Sequence, residues 1–186
     1  MLIGGTTPAQ FNRFGGNSAA IAVTSTASGI RVAGNEIGGS SGLGIDLIAS
    51  GAVGDGVTAN DLNDADSGAN NLQNFPVLTS FGANAGQLLI NGSLDVPTAT
   101  SNADYTIGVY ANASCDPSGN GEGELYLGSA TVNLSGNSVA NEAFQFAIAA
   151  TPVANGAISV TATDALGNTS EFSPCLLDTL LRNGFE

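Results

Sequence analysis

The stretch Asn12-Arg13-Phe14-Gly15-Gly16-Asn17-Ser18 recurs as Asn35-Glu36-Ile37-Gly38-Gly39-Ser40-Ser41, an offset of 23 residues. A few positions on, Ala19-Ala20-Ile21-Ala22-Val23 reads against Leu43-Gly44-Ile45-Asp46-Leu47 at an offset of 24, one residue having entered between the blocks. So short a unit cannot bury a hydrophobic face alone and must stack on its copies. Within each copy the apolar residues alternate (Ile21 and Val23, then Ile45 and Leu47), and Gly29 to Asn35 adds another short alternating stretch. Period-two alternation with Gly and Asn punctuation predicts short strands. The repeat predicts rungs of a right-handed parallel β-helix, about two of them, stacked at about 4.8 Å. Phe14 then sits on Ile37, Ile21 on Ile45 and Val23 on Leu47, with Asn12 over Asn35 as an amide ladder at a bend. Asp46 follows Ile45 in alternation and is expected to face out.

From Ala49 to Asn74 apolar residues thin out and Asp, Asn and Gly dominate. Beyond it the pattern predicts seven short strands: 76–81, 87–94, 104–111, 124–134, 142–148, 156–163 and 170–173. Leu88, Ile90 and Leu94 share one face, as do Tyr105, Ile107 and Val109. Ile158, Val160 and Ala162 point inward in the sixth strand, with Ser159, Thr161 and Thr163 outward. Seven alternating strands over about 100 residues predict an immunoglobulin or fibronectin type III-like β-sandwich. Leu176 to Leu181 is the one candidate helix. The fold class is therefore all-β, divided into β-helix rungs over 1–53, an acidic connector over 54–74, a β-sandwich over 75–175 and a tail over 176–186.

Charge narrows the function. The chain has a net charge of −13, no lysine, no histidine and three arginines, Arg13, Arg31 and Arg182. Clustered Lys and Arg are needed to neutralise phosphates, so nucleic acid is excluded as a partner and anionic membranes are disfavoured. No window approaches the roughly 20 apolar residues of a membrane-spanning helix. The first residues have no basic n-region or apolar h-region, and they begin in mid-repeat, so a fragment lacking its upstream rungs and export signal is expected. Without histidine there is no Ser-His or Cys-His nucleophile, and without lysine few general bases remain near neutral pH. Polysaccharide lyases and hydrolases do occur on β-helices, but the rungs offer only Arg13, Arg31, Glu36 and Asp46.

Gly4-Gly5-Thr6-Thr7-Pro8-Ala9-Gln10, Gly44-Ile45-Asp46-Leu47 and Asn70-Asn71-Leu72-Gln73-Asn74-Phe75-Pro76-Val77-Leu78 resemble the C-terminal region of bacterial right-handed parallel β-helix surface proteins. Cys115-Asp116-Pro117-Ser118-Gly119, Gly121-Glu122-Gly123 and Thr161 to Phe172 resemble the bacterial immunoglobulin-like domain that follows the last rungs there. Arg182-Asn183-Gly184-Phe185-Glu186 resembles a short tail ending some secreted proteobacterial proteins. The resemblance implies export to the cell surface or medium and a structural, adhesive or binding role toward a glycan or protein. It implies no catalytic centre. The expectation is a non-catalytic module; its rivals are a carbohydrate-binding module and a fragment of a β-helix polysaccharide-active enzyme whose active site lies upstream. The exposed end of a β-helix also invites self-association, and a domain packed after the last rung would cover it.

Four groups of residues are candidate sites. Asp55, Asp61, Asn63, Asp64 and Asp66, among glycines, have the oxygen chemistry of calcium ligands, without the downstream bidentate Glu of an EF-hand; a solvated acidic loop using Asp and Asn for turns is the simpler alternative. Asp116, Asn120, Glu122 and Glu124 form a weaker oxygen cluster, and Asp164 with Asn168 suits a turn. Cys115 and Cys175, 60 positions apart, flank predicted strands of one domain and are expected to form a disulfide in an oxidising compartment. Closing that loop contributes about 4 kcal/mol on the chain-entropy model. Tyr110 and Tyr126 are candidates for outward faces and for stacking on sugar rings.

Overall fold

Both copies of the repeat form strands, and the strands pair in the register of the repeat. A computed structural model describes residues 1–16, 18–49, 54–98, 103–135, 141–150 and 156–177. The first part contains β1 (Leu2–Gly4), β2 (Arg13–Gly15), β3 (Ile21–Val23), β4 (Arg31–Ala33), β5 (Glu36–Gly38) and β6 (Ile45–Leu47). Strands β2 and β5 pair in parallel with Phe14 on Ile37, and β3 and β6 with Ile21 on Ile45 and Val23 on Leu47. Asn12 Nδ2 donates to Asn35 Oδ1 at 3.0 Å, while Asn35 Nδ2 donates to the Ile3 carbonyl, so buried Asn35 fastens two levels. The parallel pair of β1 with β4, Leu2 opposite Arg31, falls outside the repeat offset and was not expected. Each pair stands as a two-stranded sheet.

The second part contains β7 (Val77–Asn84), β8 (Gln87–Leu94), β9 (Ala103–Asn112), β10 (Leu125–Leu134), β11 (Glu142–Ile148), β12 (Ala157–Thr163) and β13 (Leu176–Leu177). They make two antiparallel sheets, ordered β11-β8-β7 and β10-β9-β12-β13. The β7–β8 turn is a two-residue loop of Ala85 and Gly86, both at positive φ, which suits the twist of a tight hairpin. Leu88, Ile90 and Leu94 of one sheet share a core with Tyr105, Ile107, Val109, Ile158 and Val160 of the other. The protein is thus all-β.

A second core joins the two parts. Ile21, Val23, Val32, Ile37, Ile45 and Leu47 pack with Ala69, Leu72, Tyr110 and Phe172. The approach is close: a Cβ on Gly44 would meet the Glu122 carbonyl at 2.6 Å and the Phe172 ring at 3.0 Å.

Several expectations are corrected here. Asp46 is buried at 0% exposure, because the segment after Gly54 folds over the outer side of β6. Ser159, Thr161 and Thr163, expected outward, are buried, because that face of β12 is covered too. Residues 170–173 make no strand. They run beside β12 with serine hydroxyls in place of part of the ladder: Ala162 N–H donates to Ser170 Oγ and Val160 N–H to Ser173 Oγ, both at 3.0 Å. Leu176–Leu177 is a strand paired with β12 and not the start of a helix. Positions 178–186, with the tail motif at Arg182, lie outside the described residues, as does Asn17 of the repeat.

Candidate functional site

The seam between the two parts is built from hydrogen bonds of one kind. Side chains and one carbonyl of the later chain accept amide protons from the stretch 29–47. Asp164 starts the construction. Its carboxylate takes the Asn168 amide at 2.8 Å and its carbonyl the Gly167 amide at 3.1 Å, closing the expected turn. Asn168 Oδ1 is then aimed at Gly29 N–H, 2.7 Å away. The next residue, Thr169, accepts Val32 N–H of β4 on Oγ1 at 2.9 Å. Glu171 accepts Leu47 N–H of β6 on one oxygen at 2.9 Å and Thr58 N–H on the other at 3.0 Å. The Gly123 carbonyl accepts Ile37 N–H of β5 at 2.9 Å. Strands β4, β5 and β6 therefore each give an amide to the later chain.

Asn70 completes the seam. It has left-handed backbone, as do Asn71 and Leu72, a conformation Asn tolerates better than most residues. Its amide takes Ile30 N–H at 3.0 Å and donates to the Ile30 carbonyl at 2.8 Å and the Thr169 carbonyl at 3.0 Å. One buried side chain thus does the work of a strand bridge between the repeat and the segment after β12.

Burial of Glu171 against this backbone pushes its carboxyl up to about 7. The amides of Leu47 and Thr58 pull the other way, and nearby Asp46 and Asp55 push up again. Asp46 shares a hydrogen bond with Asp55 and rises for the same first reason, burial.

The acidic segment splits in two. Asp61, Asp64 and Asp66 converge, with one oxygen of each within 4.8 Å of the others. Asp61 also accepts the amides of Ala65 and Asp66, and Asp64 those of Asn74 N–H at 2.7 Å and Gln73 Nε2 at 3.1 Å. Burial pushes Asp64 up to about 7, and Asp66 and Asp61 add to it against the Asn74 bond. The structure does not bring Asp55 and Asn63 to this triad. Asp55 sits by Asp46, and Asn63, at positive φ, gives its amide to Asp95. Three carboxylate oxygens so close can serve a hard divalent cation, and their bonds to the surrounding amides equally build a turn.

The tyrosines are not an exposed platform. Tyr110 is 1% exposed and its hydroxyl accepts Gly34 N–H at 3.2 Å. Burial pushes its phenol well above the ordinary range. Its ring meets Tyr126 at 5.2 Å and 57°, and Phe172 edge-on at 5.0 Å. The expectation of outward faces fails because the face of β9 opposite its own core packs on the repeat. Cys115 and Cys175 are joined, with Cα atoms 6.0 Å apart. Arg13 Nε pairs with Glu36 Oε2 at 2.6 Å on the stacked β2 and β5, and both border an open groove of about 530 Å³ whose lining does not include Arg31.

Sequence reasoning missed Glu171, Thr169 and Asn70 as joining residues. The available signal was Asn168 to Glu171, a polar run without alternation beside an apolar strand. No helix among the described residues is long and apolar enough to cross a membrane. No family model matches the chain, and no curated protein is significantly similar to it.

Proposed function

We propose that this chain is a non-catalytic structural or adhesive module of a secreted or cell-surface bacterial protein, in which an immunoglobulin-like sandwich caps the last rung of a short parallel β-helix. The division is that given by the sequence: rungs over 1–53, connector over 54–74, sandwich over 75–175. One observation carries the reading. Val32, Ile37 and Leu47, one residue from each of β4, β5 and β6, donate their amides to Thr169, Gly123 and Glu171. An unpaired strand edge is a template for further pairing. Here that edge is met by acceptors that offer no strand of their own to continue the stack. The disulfide favours an oxidising compartment. The carbohydrate-binding alternative has lost the exposed, coplanar aromatic pair that would favour it.

The test is the double variant Thr169→Val with Glu171→Leu, which removes two of the three acceptors. A buried amide left without a partner costs about 1–3 kcal/mol. Amide exchange at Val32 and Leu47 should rise, and the full chain should form larger species by size-exclusion chromatography with light scattering. A variant with the size of the unsubstituted chain and unchanged exchange would remove the capping role.

A further inference from the structure

The sequence contains one Asp-Pro bond, Asp116-Pro117, and the connection between β9 and β10 builds a turn around it. Gly119 N–H donates to the Asp116 carbonyl at 2.8 Å, which closes the turn, and Asp116 N–H donates to the Asn120 carbonyl at 3.0 Å. Cys115, one residue before, is bonded to Cys175, whose amide donates to the Gly119 carbonyl at 2.9 Å. Asn120 Nδ2 donates to the Phe172 carbonyl at 2.8 Å. Both ends of the turn are therefore fixed to the segment after β12.

The carboxyl of Asp116 is folded back along its own peptide bond. Asp116 is only 8% exposed. Its Oδ1 takes the Ser118 amide at 2.8 Å. The hydrogen-bonded ring so formed includes the Asp116 carbonyl carbon and the Pro117 nitrogen, and it keeps the carboxyl beside the bond between them. Oδ2 is buried and accepts no hydrogen bond. A buried carboxyl oxygen without a donor is costly, and no donor competes for it as a nucleophile. Pro117, Ser118 and Gly119 are exposed, and Asp116 and Pro117 border a cavity of about 210 Å³ with room for water. The other titratable groups on that cavity, Glu122 and Glu124, are both acids. Proline has no backbone N–H, and its tertiary amide nitrogen accepts a proton more readily than an ordinary peptide nitrogen does.

We propose that Asp116-Pro117 is a self-cleavage site, at which the Asp116 carboxyl displaces the Pro117 nitrogen. A carboxyl oxygen of Asp116 adds to the Asp116 carbonyl carbon and closes a five-membered ring. The carbonyl oxygen gains negative charge, and the Gly119 N–H already bonded to it stabilises that charge. The C–N bond then breaks, and the carboxyl proton passes to the Pro117 nitrogen. The cyclic anhydride takes up one water, which leaves a free α-carboxyl and a free side-chain carboxyl on Asp116. Nothing is oxidised or reduced, and water is the sole co-reactant. The products, residues 1–116 and 117–186, stay joined through Cys115 and Cys175. The cut is therefore silent until the disulfide is reduced. This holds whether or not the later chain serves as a cap.

The experiment is incubation of the oxidised full chain at about pH 4, where carboxyl groups hold protons, followed by mass spectrometry and gels with and without reductant. The unreduced product should gain the mass of one water. After reduction it should give two pieces, the second beginning at Pro117 by N-terminal sequencing. The folded chain should cut at least about tenfold faster than the chain unfolded in guanidinium at the same pH, because the fold holds the reacting groups together. Asp116→Asn, which keeps an acceptor for the Ser118 amide, should abolish the cut. Pro117→Ala, which leaves the carboxyl in place, should slow it severalfold and serves if the asparagine variant folds poorly; circular dichroism reports folding. Equal rates in the folded and unfolded chains would overturn the proposal, since the bond would then break by its composition alone. So would an intact chain after days of incubation, or a cut that neither substitution slows.

Discussion

The core shared by the two antiparallel sheets and the seam that joins them to the repeat are held together in different ways. The core is apolar from both sides: Leu88, Ile90, Ile107, Val109 and Val160 are all fully buried, and they interdigitate across the sheets. The seam has apolar contacts too, but its placement depends on single side chains, each aimed at one amide of the repeat. A core of the first kind tolerates small shifts, since contact is non-directional. A join of the second kind does not, since a hydrogen bond weakens steeply out of line. The difference teaches that the sheets gain their stability from burial, while the seam sets how the repeat sits on them.

That contrast can be broken most severely in the core. Ile107→Ala should cost about 2–5 kcal/mol, the usual range for such a truncation, and lower the unfolding midpoint of the whole chain by chemical denaturation. A loss below about 1 kcal/mol would mean that the sheets do not depend on this core.

The seam and the acidic segment respond to pH instead. Glu171 and Asp64 have carboxyls raised to about 7 in the folded chain. The folded state therefore holds their protons more tightly than the unfolded one. Their contribution is fully present below about pH 4 and is lost as pH rises through about 7. Midpoints measured in EDTA should fall between those values, by on the order of a few kcal/mol in total, and level off above. In Glu171→Gln the fall should be smaller. A wild-type midpoint that is flat from pH 4 to pH 8 would contradict the burial of both groups.

The smallest effect is expected at the surface of the repeat. Arg13 pairs with Glu36, but its side chain is 83% exposed. Arg13→Ala should change stability by less than about 1 kcal/mol, as is usual for exposed pairs. A larger loss by denaturant titration would move this pair from ornament to structural joint.

Much of the architecture was legible in the sequence, and the rest was hidden for one physical reason. The pairing of Phe14 with Ile37 and of Ile21 with Ile45 followed from repeat offset alone, since stacked strands place equivalent residues side by side. The Asp164 turn followed from the habit of Asp and Asn to bond their own backbone. Alternation likewise separated the two faces of β9, putting Tyr105, Ile107 and Val109 together. What alternation does not carry is whether the second face is covered by a distant part of the chain. Tyr110, Asp46, Ser159, Thr161 and Thr163 were all placed outward by period and all proved buried. Tyr110 is met by Gly34, 76 residues away, and Asp46 by Gly54, 8 residues on; strand alternation records neither meeting. Of the acidic set, Asp61, Asp64 and Asp66 came together while Asp55 and Asn63 did not, because Asp55 is next to Asp46 and Asn63 turns toward Asp95.

The two copies of the repeat are not equivalent in their surroundings, and this gives the molecule a direction. Strands β4, β5 and β6 lie between their parallel partners and the acceptors of the later chain. Strands β1, β2 and β3 are each paired in sheets of two. The amides that the later chain accepts come from the stretch 29–47, while Ile21 and Val23 of the first copy contribute to the shared core. On the proposed β-helix reading, a gene duplication inserting further copies on the side of β1 to β3 would add about 4.8 Å per level and leave the amides of β4, β5 and β6 paired as they are. An insertion between β4 and Thr169 would have to rebuild that pairing. On that reading the molecule is a ruler with its zero mark already fixed, and its length is what added copies would change.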